Sequence, residues 1–190
     1  MVFSIKASNV GDNIYLGGRK MAFIGIIADK KNESNIEKCL KNSFDKKNIK
    51  ENVIVINSKN INNVKNIKFD SLLINKKISC KTDVVKKILS NSNNLIINSD
   101  IDIGMGTLEE TNYNVITYGF NPKSTVTASS LENEEALICV QRNIRNKDNN
   151  IVEPQEIKVE KVDKKNNPYI IMSVEILTLL YDTQKKYRKN

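Results

Sequence analysis

A chain of 190 residues with 39% hydrophobic content is long enough to bury one core, and a second full domain is a squeeze at roughly 100 to 200 residues per domain. The absence of histidine removes the commonest general base and the commonest metal ligand, and with them Ser-His-Asp and Cys-His catalysis. The net charge of +8 rests on 26 Lys and only 4 Arg beside 28 Asn and 26 Ile, three residue types sharing AT-rich codons, so the charge alone does not select a polyanion partner.

Residues 1–20, "MVFSIKASNVGDNIYLGGRK", lack a clear period and hold three of the seven glycines. They read as an N-terminal extension: a tail, a glycine-turned hairpin, or sequence upstream of a true start at Met21. Residues 21–190 then form one α/β unit. "AFIGIIAD", 22–29, is a continuous apolar run, the form of a strand buried on both faces of a parallel sheet. Ser34 and Glu37 have capping-box spacing, which predicts a helix starting at Ser34 with Ile36, Leu40 and Phe44 on its apolar stripe.

"NVIVIN", 52–57, predicts a second strand, and the Asn- and Lys-rich run 58–68 an exposed connection. "FDSLLIN", 69–75, is a third strand; Thr82 caps a predicted helix bearing Val84, Val85, Ile88 and Leu89 on one face. Strands four and five are 94–100 and 114–121. Beyond Asn121, the runs 124–131, 134–144 and 152–162 follow one another without helices, which predicts antiparallel strands. A C-terminal helix from Pro168 presents Ile171, Val174, Leu177 and Tyr181 on one side, with Lys185, Lys186, Arg188 and Lys189 suiting its negative end. The fold class is three-layer, Rossmann-like α/β: a mainly parallel sheet with antiparallel strands at the edge and a C-terminal helix.

Cys39, Cys80 and Cys139 form no CxxC pair and read as small buried hydrophobes. No apolar run nears the ~18 to 20 residues that span a bilayer, so the expectation is a soluble, cytoplasmic protein without a membrane partner. Residues 21–90 carry fifteen lysines against seven acids, whereas 91–190 carry twelve basic and fourteen acidic residues. That basic first half is a weak electrostatic hint. Few bidentate arginines and only 6% aromatics make nucleic acid the last-ranked partner.

Open α/β sheets bind ligands beyond the carboxyl ends of their strands. Those ends carry Asp29, Asn57, Asn75, Asn98 with Asp100, and Asn121. The densest stretch is "NSDIDIGMGTLEET", where Asn98, Asp100 and Asp102 precede a Gly104, Gly106, Thr107 loop able to approach a ligand closely. These six residues are the candidate nucleotide-side pocket. No catalytic residue is assigned, and a metal is left open, since Asp100 with Asp102 is a carboxylate pair of the kind Mg²⁺ uses.

The order of "LIINSD", "VITYGFNPKSTVTASSL" and "NNPYIIMSVEILTLL" resembles the central domain of the Mur ligase and folylpolyglutamate synthetase family, over about Ala22 to Leu180. The resemblance implies an ancestry in ATP-dependent amide ligation, with Asn98 and Asp100 on the nucleotide side. The family's phosphate loop, G-x-x-G-T-N-G-K-[ST], is missing: "GIIADKKNESN" has Gly25 alone, and neither Lys30 nor Lys31 precedes Ser or Thr. The resemblance therefore implies a non-catalytic binding or regulatory protein for a nucleotide, a cell-wall precursor or a protein partner. The alternative is one half of a split ligase, and only that alternative calls for ATP and Mg²⁺.

Overall fold

The computed structural model describes residues 23–77, 83–102, 114–132, 134–160 and 167–183, and the backbone of 15–16 and 19–20. Met21, Cys80, Thr82, Gly104, Gly106, Thr107, Lys185, Lys186, Arg188 and Lys189 lie outside the described residues. Strands β1 (Tyr15–Leu16) and β2 (Arg19–Lys20) form a two-residue antiparallel ladder.

The main sheet has eight strands. In chain order they are β3 (Phe23–Ala28), β4 (Asn52–Val55), β5 (Phe69–Asn75), β6 (Ser92–Asn98), β7 (Asn114–Tyr118), β8 (Val126–Leu131), β9 (Glu135–Val140) and β12 (Gln155–Glu160). Their spatial order is β12-β9-β8-β7-β6-β5-β3-β4. Every pairing from β4 to β8 is parallel, and β8–β9 and β9–β12 are antiparallel. The sheet is thus mixed and mostly parallel with antiparallel edge strands, as the order of apolar runs predicts.

Alternation along the strands assigns side chains to two cores. Ile24, Ile26, Ala28, Leu73, Ile96, Ile116 and Tyr118 pack with α1 (Lys30–Lys46) and α4 (Pro168–Tyr181) on one face. Ile27, Leu72, Ile74, Leu95 and Ile97 pack on the other with α2 (Ile61–Val64) and α3 (Asp83–Ser90). Strands with both faces covered carry uninterrupted apolar runs. The stripe Ile36, Leu40 and Phe44 is buried along with Cys39, while Cys139 is only half-buried.

Several local expectations are corrected. Helix α1 begins at Lys30, four residues before Ser34, so Ser34 and Glu37 are helix-interior positions and form no capping box. The extended conformation of Asp29 (φ −69°, ψ 146°) ends β3 and caps the helix in a single residue. The run 58–68 is not wholly an exposed connection: it contains α2, with Val64 buried. The predicted strand 94–100 runs instead from Ser92 to Asn98, and the strand 114–121 stops at Tyr118. The run 134–144 divides into β9 and β10 (Ile144–Arg145), which pairs with β11 (Ile151–Val152) in a separate ladder.

Helix α4 ends at Tyr181, and the basic residues expected at its negative end lie outside the described residues. It is also not one-sided. Eleven of its residues are buried, because the sheet, α1 and the β10–β11 hairpin enclose it: Ile144 and Val152 join its core and Lys147 N–H donates to Leu180 C=O at 3.0 Å. A helix buried all round needs its hydroxyls satisfied internally. Ser173 Oγ donates to Ile170 C=O, Thr178 Oγ1 to Val174 C=O, and Tyr181 Oη to Ser71 Oγ at 2.8 Å.

Candidate functional site

The chain leaves β3 for β4 over the α1 face and returns to β5 and β6 over the opposite face. The gap between β3 and β5 is therefore a topological switch point, where open α/β sheets form their ligand crevice. Register places Ala28 of β3 opposite Asn75 of β5, and Ile74 opposite Ile97 of β6. Asn75 and Asn98 thus end neighbouring strands, and both are nearly sealed from solvent, at 3% and 1% exposure.

Their amides are ordered by each other and by the next turn. Asn98 Nδ2 donates to Asn75 Oδ1 at 3.1 Å, and Asn98 Oδ1 accepts from Asp100 N–H at 3.0 Å. Asn75 Nδ2 has no hydrogen-bond partner among the described residues. The sequence signal for Asn75 is the same as for Asn98, a polar residue closing an apolar strand; only the switch-point topology separates it from the other strand-end asparagines. Asn57, for example, is consumed in a local turn with Lys59 N–H and Asn60.

Asp100 lies past the end of β6 and spends its carboxylate within the protein. Oδ2 accepts from Phe120 N–H at 2.6 Å and from the Tyr169 hydroxyl at 3.0 Å, and Oδ1 accepts from Asn121 N–H at 3.1 Å. The carboxylate acceptor and partial burial together push the Tyr169 phenol above its ordinary range, burial contributing most. Gly119 makes this approach possible: at φ +149° it has a conformation L side chains rarely adopt, and a Cβ there would lie 2.7 Å from Asp100 Oδ2. Tyr169 is fixed from its own side by the Asn167 cap, whose Oδ1 accepts from Tyr169 N–H at 3.0 Å, and its ring meets Phe120 edge-on at 5.6 Å and 78°.

Asp102 is exposed and pairs with Lys77 at 3.5 Å, a surface contact worth little to stability. The structure therefore brings Asn98 and Asp100 together, with Asp102 two residues further along the exposed turn, while the glycine loop lies outside the described residues. Among the described residues no group of three or more Cys, Asp or Glu is arranged to hold a metal ion. Three donors already take most of the roughly four acceptor positions of the Asp100 carboxylate.

The start of α1 is where a phosphate loop would stand. Here β3 ends at Ala28 and α1 begins at Lys30, leaving Asp29 as the whole connection. One residue cannot fold a cradle of backbone N–H groups around phosphates. Asp29 C=O already accepts from Asn32 and Glu33 N–H at 2.7 and 3.0 Å, and the carboxylates of Asp29 and Glu33 supply negative charge to the positive end of the helix. The residues present do not fit the triphosphate and Mg²⁺ that the ligase resemblance implies. No helix among the described residues is long and apolar enough to cross a membrane. Comparison with known protein families and with curated proteins finds no match to this chain, which leaves the functional argument to its own residues.

Proposed function

We propose that this chain is a non-catalytic Mur-ligase-like domain, a binding or regulatory protein whose ligand enters the crevice above Asn75 and Asn98. The observation that carries this reading is the single-residue connection from β3 to α1 at Asp29, beside the switch point between β3 and β5. The commitment of Asp100 to Phe120, Asn121 and Tyr169 supports it further, since that carboxylate serves the turn and the start of α4. Candidate ligands are a nucleotide, a cell-wall precursor or a partner protein.

Calorimetry with Mg-ATP and a phosphate-release assay on the purified chain test the reading. It expects no turnover and no tight Mg-ATP binding; sustained hydrolysis by the chain alone would overturn it. The split-ligase alternative needs a partner that contributes the phosphate-binding residues, and loss of a partner-dependent activity on Asp100→Ala, with the fold intact, would favour it.

A further inference from the structure

The eight-stranded sheet ends in two different edges. At one, β4 has only four residues, and the β10–β11 hairpin reaches its start through Lys147, whose Nζ donates to the Glu51 carboxylate. At the other, β12 runs for six residues and pairs with β9 without a bulge, from Gln155 opposite Val140 to Glu160 opposite Glu135. Among the described residues no strand takes the outer side of β12. An edge of that kind offers a row of backbone N–H and C=O groups to any strand that can lie against it.

The side chains of β12 decide which strand can. Gln155, Ile157 and Val159 are half-buried, the two apolar residues packing against the α4 core, while Glu156, Lys158 and Glu160 are exposed on the other face. Charges at an edge normally turn a second strand away, so their order matters. Residues directly opposite in an antiparallel pair share a face, and a two-fold pairing with the α4 side of both copies on one face must centre on a residue. Centred on Lys158, it sets Lys158 against Lys158 and Glu156 against Glu160. Centred on Ile157, it sets Glu156 against Lys158 of the second copy, Lys158 against Glu156 of the second copy, and Ile157 against itself. A pairing centred on Val159 also matches charge but keeps only positions 158–160 within the strand.

We propose that β12 is a homodimer seam, joining two copies of this chain into one continuous sheet in the Ile157 register. Lys158 then lies between Glu135 of its own β9, at 2.7 Å, and Glu156 of the second copy, in a row of alternating sign. Glu160, held by Lys46 at 2.9 Å, stays outside the paired positions 155–159. Surface ion pairs contribute little affinity; they select register and partner. Backbone hydrogen bonds and the further covering of Ile157 and Val159 drive the association. An unrelated strand meets the same Glu-Lys-Glu row without the matching order. The seam uses none of Asn75, Asn98 and Asp100, so it stands apart from the non-catalytic reading.

Sedimentation velocity of the full chain over a rising concentration series is expected to show a monomer–dimer equilibrium. Lys158→Glu sets Glu against Glu at both charged pairs, and Glu156→Lys sets Lys against Lys. Each variant alone is expected to weaken dimerisation about tenfold or more, with an unchanged circular dichroism spectrum. Mixed in equal amounts, the two variants regain opposite signs at both pairs and are expected to form a heterodimer about tenfold or more tighter than either forms with itself. A natural chain that stays monomeric throughout the series would overturn the seam and leave the edge to another occupant. Single variants that dimerise like the natural chain, or a mixture no tighter than its components, would overturn it as well.

Discussion

The two oxygens of Asp100 take three donors from two places in the chain, the turn after β7 and the first turn of α4. Hydrogen bonds to an ionised acceptor contribute more than neutral ones, so Asp100→Ala is expected to cost about 2 kcal/mol and Tyr169→Phe about 1 kcal/mol in urea unfolding. A negligible cost for Asp100→Ala would mean that the carboxylate is free for a ligand. Gly119→Ala meets both the φ of +149° and the Asp100 carboxylate, and a loss of about 1 to 3 kcal/mol is expected from the backbone strain. Sequence alone marks Asp100 as polar and turn-forming but not as occupied. Its partners Phe120, Asn121 and Tyr169 lie 20, 21 and 69 residues away, and only the parallel pairing of β6 with β7 and the packing of α4 bring them together.

At the scale of elements, cap chemistry separates what the sequence states from what it suggests. Asn167 is a true cap, with its side chain on Tyr169 N–H and Pro168 at the first helical position. Ser34 is exposed inside α1. Asn167→Ala is therefore expected to cost about 1 kcal/mol, and Ser34→Ala to change stability by less than about 0.5 kcal/mol. A cost near 1 kcal/mol for Ser34→Ala in denaturant unfolding would restore the later helix start. Local spacing of Ser34 and Glu37 suggests a box, but the strand-to-helix geometry at Asp29 wins because β3 is fixed by pairing on both sides. Strands were the legible elements, since burial on both faces writes a continuous apolar run. Helix α2 escaped because four residues with one buried position, Val64, show no period, and α4 looked one-sided because the β10–β11 hairpin that covers it is distant in sequence.

Across the whole molecule, burial has a pH signature. Tyr118 and Tyr181 are buried in the α4 core, and desolvation raises both phenols far above the ordinary range; Ser173 offsets this in part for Tyr118 and Ser71 for Tyr181. Tyr118 makes no well-formed hydrogen bond among the described residues, so its neutral form is favoured chiefly by burial. A raised folded-state pKa means that the stabilisation is present below the unfolded phenol value of about 10 and is lost as pH climbs above it. In tyrosinate absorbance, two of the six tyrosines are therefore expected to titrate only with unfolding; titration of all six before unfolding would contradict the burial of these two. The edge above Asn75 and Asn98, with one residue between β3 and α1, is the feature on which the proposed function rests. Its most direct test is phosphate release from Mg-ATP by the purified full chain: the account predicts no release above the protein-free rate, and steady turnover abolished by a second-site change at this edge would contradict it.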